Sequence, residues 1–233
     1  MRLTQEGLTQ YAILAAGALA ASPVVLSGNT ARADATPTGI EVGLRTGVAI
    51  PLGNMQESLP LSDTIHGAIP IWIDAGYRLH PNAMIGAFFQ YGIGLVNSDG
   101  TALGAKICGS SDNCSVSDIM FGLQFHYHLM PEQTVDPWGG VGFGYEILAI
   151  DDPGTANSTG VGGASYSGFQ FANLQIGVDY KLRPNLGLGP FVMFSLGEYS
   201  GCSYTVLGNC TIQSRALHEW ITLGFRLAYE PPL

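Results

Sequence analysis

Lysine is nearly missing from this chain: Lys106 and Lys181 are the two present among 233 residues. Basic residues number 9 against 18 acidic ones, for a net charge of −9. A nucleic-acid partner needs clustered Lys and Arg to neutralise phosphates, and that footprint is absent. Charge of either sign is scarce, at 12% of residues, where soluble domains carry about 25%. This shortage argues against a typical cytosolic enzyme and, more strongly, against disorder. No apolar run reaches the ~18 residues of a helix that crosses a bilayer. A chain that is 46% hydrophobic without such a helix has one membrane solution left. It is the closed β-barrel, which pairs every backbone group between strands. Glycine, by contrast, is abundant, at 32 residues, roughly twice the usual share.

The first 35 residues read as a secretory signal peptide. Arg2 opens a short basic region, the apolar stretch Tyr11–Ala21 follows, and Ser22-Pro23 breaks it. Ala33-Asp34-Ala35 supplies an A-x-A cleavage site, with Ala18-Leu19-Ala20 as an earlier alternative. The expected organisation is a signal peptide over 1–35 and a β-barrel domain over 36–233.

Apolar residues in the remainder recur with a period of two. Ile221, Leu223, Phe225, Leu227 and Tyr229 alternate with Trp220, Thr222, Gly224, Arg226 and Ala228. Ile119, Phe121, Leu123, Phe125, Tyr127 and Leu129 alternate with Asp118, Met120, Gly122, Gln124, His126 and His128. That pattern belongs to strands with one apolar and one mixed face. It predicts eight strands, near 39–52, 67–79, 82–95, 116–129, 136–149, 167–182, 186–200 and 212–229. All are longer than the usual strand of about 5–6 residues. The connections alternate in length. Short turns fall at 80–81, 130–135 and 183–185, and long ones at 53–66, 96–115, 150–166 and 201–211. Outer-membrane barrels sort their loops this way. An even strand count then places both termini on the short-turn side, the periplasm.

The mixed face is rich in glycine and sparing in charge. Its charged members are Glu41, Arg45, Asp74, Arg78, Glu146, Asp179, Lys181 and Arg226, whose charges sum to zero. A solvated face needs many more charges, whereas a narrow lumen needs small residues and paired ions. The mixed face is therefore assigned to the lumen, with Gln124, His126 and His128 on it. Trp72, Trp138 and Trp220 share the inward parity, so they plug the lumen or its rims. Barrel closure makes the first and last strands neighbours, which predicts a Glu41–Arg226 pair near the periplasmic end. Asp74, Arg78, Asp179 and Lys181 extend that layer, and Arg45, Gln124 and Glu146 lie higher.

On these features the chain resembles the small bacterial outer-membrane β-barrels of the OmpX, OmpA-domain and OmpW types. The likeness covers about 36–233 and rests on the signal segment, strand count, loop sorting and last strand. The phrase GLRTGVAIPLG at 43–53 looks like the first strand of such proteins. Members end in an assembly signal of alternating apolar residues closing on an aromatic. Ile221, Leu223, Phe225, Leu227 and Tyr229 match it, with Glu230-Pro231-Pro232-Leu233 following. The resemblance implies insertion in the outer membrane by the barrel assembly machinery, among lipid and lipopolysaccharide. It leaves open pores, adhesins, structural anchors and lipid enzymes.

Four cysteines lie in the long loops, Cys108 with Cys114 and Cys202 with Cys210. In an exported protein they read as disulfides. Three connectivities are open, and local pairing that braces each loop is favoured. Spacings of C-x₅-C and C-x₇-C do not suit zinc. His126 and His128 stand about 7 Å apart along one strand face. They read as a hydrogen-bonded or water-facing pair near the periplasmic mouth, since no third metal ligand is evident in the sequence. No metal or cofactor is therefore expected. Gly139–Gly144 lacks the Lys and Ser/Thr of a phosphate loop, and no G-x-S-x-G is present. Barrel lipases carry a late His-x-Ser, but here His218-Glu219-Trp220 lacks the serine, so no enzyme is expected. The favoured function is an occluded barrel that serves as a structural or surface-interaction protein through braced loops. The alternative is a narrow channel for small solutes, apolar ones among them, and a lipid-modifying enzyme ranks lowest.

Overall fold

Alternating side chains let one sheet present two chemistries, and in the computed structural model that sheet closes on itself. The structure describes residues 38–57, 59–97, 101–102, 105–106, 114–151, 163–204, 208–212 and 214–231. The signal segment and Cys108 lie outside these residues. Eight long strands form the ring: β1 (Gly39–Gln56), β2 (Ile65–His80), β3 (Ala83–Val96), β4 (Ser115–His128), β5 (Val135–Asp151), β6 (Gly163–Arg183), β7 (Leu186–Tyr204) and β8 (Leu217–Tyr229). Each pairs antiparallel with the next. Strand β8 pairs back onto β1 from Val42↔Tyr229 to Gly53↔His218, which closes the barrel. Closure removes the unpaired edges that no membrane sheet can leave exposed.

Strand number and order match the alternation in the sequence, while several ends differ. Strand β6 begins at Gly163 and β7 runs on to Tyr204, because their ladder continues through Ala164↔Tyr204. Strand β8 starts at Leu217, later than the expected 212. Alternation marks where a strand faces lipid, and a ladder can extend past that zone. Short turns at 81–82, 129–134 and 184–185 define one end of the barrel, the turn end. The opposite loop end carries the longer connections. There Leu59–Pro60 pairs with the end of β1, a 3-10 turn spans Leu61–Asp63, and Gly208–Cys210 folds back on β7. Gly39 and Tyr229 both lie at the turn end, since Tyr229 pairs with Leu186 beside the 184–185 turn.

The outer surface is a belt of large apolar side chains. Phe125, Leu223 and Phe225, which a water-soluble barrel would hide, are 40%, 45% and 61% exposed. Ile73, Phe89, Phe143 and Ile176 continue the belt around the ring. A patch of this extent demands an apolar surrounding.

Glycines solve a problem beyond lumen space. Gly47 opposes Gly224, Gly76 opposes Gly86, and Gly122 opposes Gly144 across neighbouring strands. A Cβ on Gly47 would stand 2.1 Å from the Leu223 carbonyl oxygen, and one on Gly122 2.1 Å from that of Phe143. These positions let adjacent backbones bend inward and come close, which a ring this narrow requires.

Candidate functional site

The mixed face points inward, and its side chains stack in layers along the lumen. Charge gathers at the turn end. Arg226 donates through Nη1 to Asp179 Oδ2 at 2.6 Å and through Nη2 to Glu41, with Asp74 at 3.7 Å. Glu41 also accepts from Arg78, which reaches Glu230 at 2.9 Å and the Pro81 carbonyl at 2.7 Å. Arg45 donates to Asp74 at 2.8 Å and to Gln175, and its Nη2 lies 3.3 Å from His126 Nε2. His128 Nδ1 meets Asp136 Oδ2 at 2.7 Å, while Asp136 Oδ1 accepts the Met130 amide at 3.0 Å. This network is buried throughout, with five carboxylates (Glu41, Asp74, Asp136, Asp179, Glu230) and three guanidiniums (Arg45, Arg78, Arg226). Lys181 stays at the rim, where Nζ donates to the Pro131 carbonyl at 2.6 Å. The zero charge balance drawn from the sequence does not hold, because Asp118, Asp136 and Glu230 are also buried.

Aromatic rings roof this layer. Arg45 sits over the rings of Trp72, Trp138 and Phe191 at 5.1, 5.5 and 5.7 Å, and Arg226 over Trp138 at 5.0 Å. Such stacking stabilises a desolvated guanidinium. Trp72 itself stacks on Phe88 at 4.6 Å. Above them lies an amide ladder. Gln175 Nε2 donates to Asn173 Oδ1 at 2.9 Å and lies 3.5 Å from Gln124 Oε1, and Asn173 Nδ2 donates to Gln170 at 3.4 Å.

A second ionisable cluster stands higher. Glu146 accepts from Tyr199 Oη at 2.5 Å, His218 Nε2 at 3.0 Å and Trp220 Nε1 at 3.1 Å. The Tyr199 ring stacks on His218 at 4.0 Å. Asp118 lies diagonal to Glu146 on the β4–β5 ladder and accepts from Gln90 at 3.0 Å. His218 has no hydroxyl partner among the described residues, and its Nδ1 is unpaired. The three donors hold the Glu146 carboxylate in one place.

Toward the loop end, buried apolar side chains gather. Met55, Leu61, Ile65 and Leu148 are wholly buried and join Leu59, Ile150 and Tyr166 in one cluster. Leu59 and Leu61 come from the connection between β1 and β2, which the sequence marks only as a long loop. Cys202 and Cys210 form a disulfide that ties β7 to its returning segment. Cys114 is disulfide-bonded as well.

The residues singled out from the sequence omit Gln90, Gln170 and Asn173, because the charged members of the mixed face drew the attention. Period two places Gln90 and Asn173 inside, whereas Gln170 is out of step with Asn173, because a register shift opposite Gly142–Gly144 changes the parity of β6. Glu230 follows the last strand, so no alternation marks it. Glu41 as neighbour of His126 and His128 is likewise invisible in one dimension, because β1 and β4 are not adjacent.

A closed antiparallel ring of eight strands, apolar outside and polar inside, defines a small transmembrane β-barrel of the outer-membrane type. Solved structures share this fold, two of them at a TM-score of 0.50. Neisserial surface protein A superposes with a TM-score of 0.50 and 12% identity, covering 82% of this chain and 99% of that one. The outer membrane protein OprG from Pseudomonas aeruginosa gives a TM-score of 0.50 and 12% identity, covering 83% of this chain and 98% of that one. No protein-family model matches the chain, and none of the curated proteins is similar to it in sequence.

Proposed function

We propose that this protein is a bacterial outer-membrane barrel with a closed lumen, acting as a structural or surface-interaction protein through its long loops. In this reading residues 1–35 are a signal peptide, both termini are periplasmic, and the loop end faces outward among lipopolysaccharide. The alternating last strand, closing on Tyr229, is the segment offered to the assembly machinery. The observation that carries the reading is the filled interior. A salt-bridged layer, a tryptophan layer, an amide ladder and the apolar cluster around Leu61 follow one another along the lumen. An eight-stranded ring leaves room for little else. The Cys202–Cys210 disulfide, and a local pairing of Cys114 with Cys108, would hold two loops in shape against extracellular proteases.

Planar-bilayer recordings of the purified full chain test it. The expected result is a quiet membrane without stable openings. A steady conductance, or liposome swelling graded by solute size, would replace this reading with the narrow-channel one.

A further inference from the structure

Three buried ligands converge inside the barrel near its turn end. Ligand atoms of Glu41, His126 and His128 all lie within 4.8 Å of one another. Glu41 and His126 are 0% exposed and His128 is 1% exposed. Each histidine carries a buried ring nitrogen with no hydrogen-bond partner among the described residues, Nδ1 of His126 and Nε2 of His128. A buried ring nitrogen without a partner is costly. The Arg45 guanidinium 3.3 Å from His126 Nε2 keeps that ring's lone pair on Nε2, so an ion held through Nδ1 requires the Arg45 contact to be given up. His128 is also oriented as metal-bound imidazoles are. Its Nδ1 points at Asp136, which fixes that proton and leaves Nε2 as the free donor. Asp136 is fixed in turn by the Met130 amide.

Charge favours a cation. The turn-end network has five buried carboxylates against three guanidiniums, with Lys181 at its rim, so it keeps a net negative charge that a cation offsets. A small pocket lined by Arg78, His128, Asp136, Asp179, Lys181 and Glu230 lies at this end and reaches His128. Zinc bonds of about 2.0–2.1 Å put tetrahedral ligand atoms roughly 3.3 Å apart, so the widest-spaced ligand atoms need to approach by up to about 1.5 Å.

We propose that Glu41, His126 and His128 form a binding site for a divalent transition ion of the zinc class, with water as fourth ligand. Two imidazoles and one carboxylate suit such an ion better than calcium or magnesium, which prefer oxygen alone. Bound there, the ion cross-links β1 to β4 across the lumen.

Cobalt(II) is the probe, added to the full chain folded in detergent micelles. The expected result is one equivalent bound with the strong visible absorption of a tetrahedral site. His126→Gln and His128→Gln should each weaken binding at least about tenfold, and Asp136→Asn about tenfold through loss of orientation. His66→Gln, at an exposed position, should leave it unchanged. If either histidine variant fails to show the gel mobility of a folded barrel, copper(II) bound to the wild type replaces it. Hyperfine coupling to two imidazole nitrogens then supports the site, and its absence overturns it. Lack of tetrahedral cobalt absorption in the wild type, or equal affinity in folded variants, also overturns it. Conductance plays no part in this readout, so the result is independent of the closed-lumen reading.

Discussion

Arg226 illustrates how a charge is kept where water is excluded. Its guanidinium is 0% exposed and meets Glu41, Asp179 and Asp74 while lying over Trp138. Attraction in such a place roughly repays desolvation only while every partner is present. Arg226→Met should therefore cost about 3–5 kcal/mol, because Glu41 and Asp179 lose a partner but stay buried. Denaturant titration of the folded barrel in lipid vesicles measures it. Adding Glu41→Gln should cost less than the sum of the single changes, since the two residues form one network. Parity and ring closure put Glu41 and Arg226 on the same wall, so their neighbourhood is readable in one dimension. The approach of Glu41 to His126 and His128 crosses the lumen, and no periodicity reports it.

Glycine pairs let neighbouring strands approach closely. Gly47 with Gly224 and Gly122 with Gly144 sit where neighbouring carbonyls come too close for a side chain. Gly47→Ala or Gly122→Ala should destabilise the barrel by at least about 1–3 kcal/mol, as overpacking does. Gly139→Ala should be tolerated, since its nearest atom would lie at 3.7 Å. Heat-modifiable gel mobility of refolded protein separates the two outcomes. Period two located all eight strands, because lipid on one face and lumen on the other impose it. It did not locate the ends of β6 and β7, where ladders outlast the apolar belt. It also left the β1–β2 connection as a loop, although Leu59 and Leu61 are buried and join the apolar cluster.

At the scale of the whole molecule, the ring is an inverted globule, greasy outside and ionic within. Leu123 lies on the outer face, 49% exposed. Leu123→Arg should cost up to about 2–4 kcal/mol in a bilayer, the penalty for a cation near mid-depth on the lipid face. The folding equilibrium in vesicles reads that cost. Detergent micelles, which deform around a charge, should show less of it. The same inversion explains the chain's shortage of lysine: a barrel with little wetted surface between its ends needs few solubilising charges.

The sequence by itself determined the class of fold. Alternation, scarce charge and the sorting of loop lengths are local properties, and a bilayer permits them one closed solution. Tertiary structure alone decided which buried groups meet. Closure and register bring β1 opposite β4 and set Asp136 behind His128, and they bury Leu61 in the apolar cluster. Those contacts depend on how the ring is sheared and curved, a property of eight strands together that no single segment encodes.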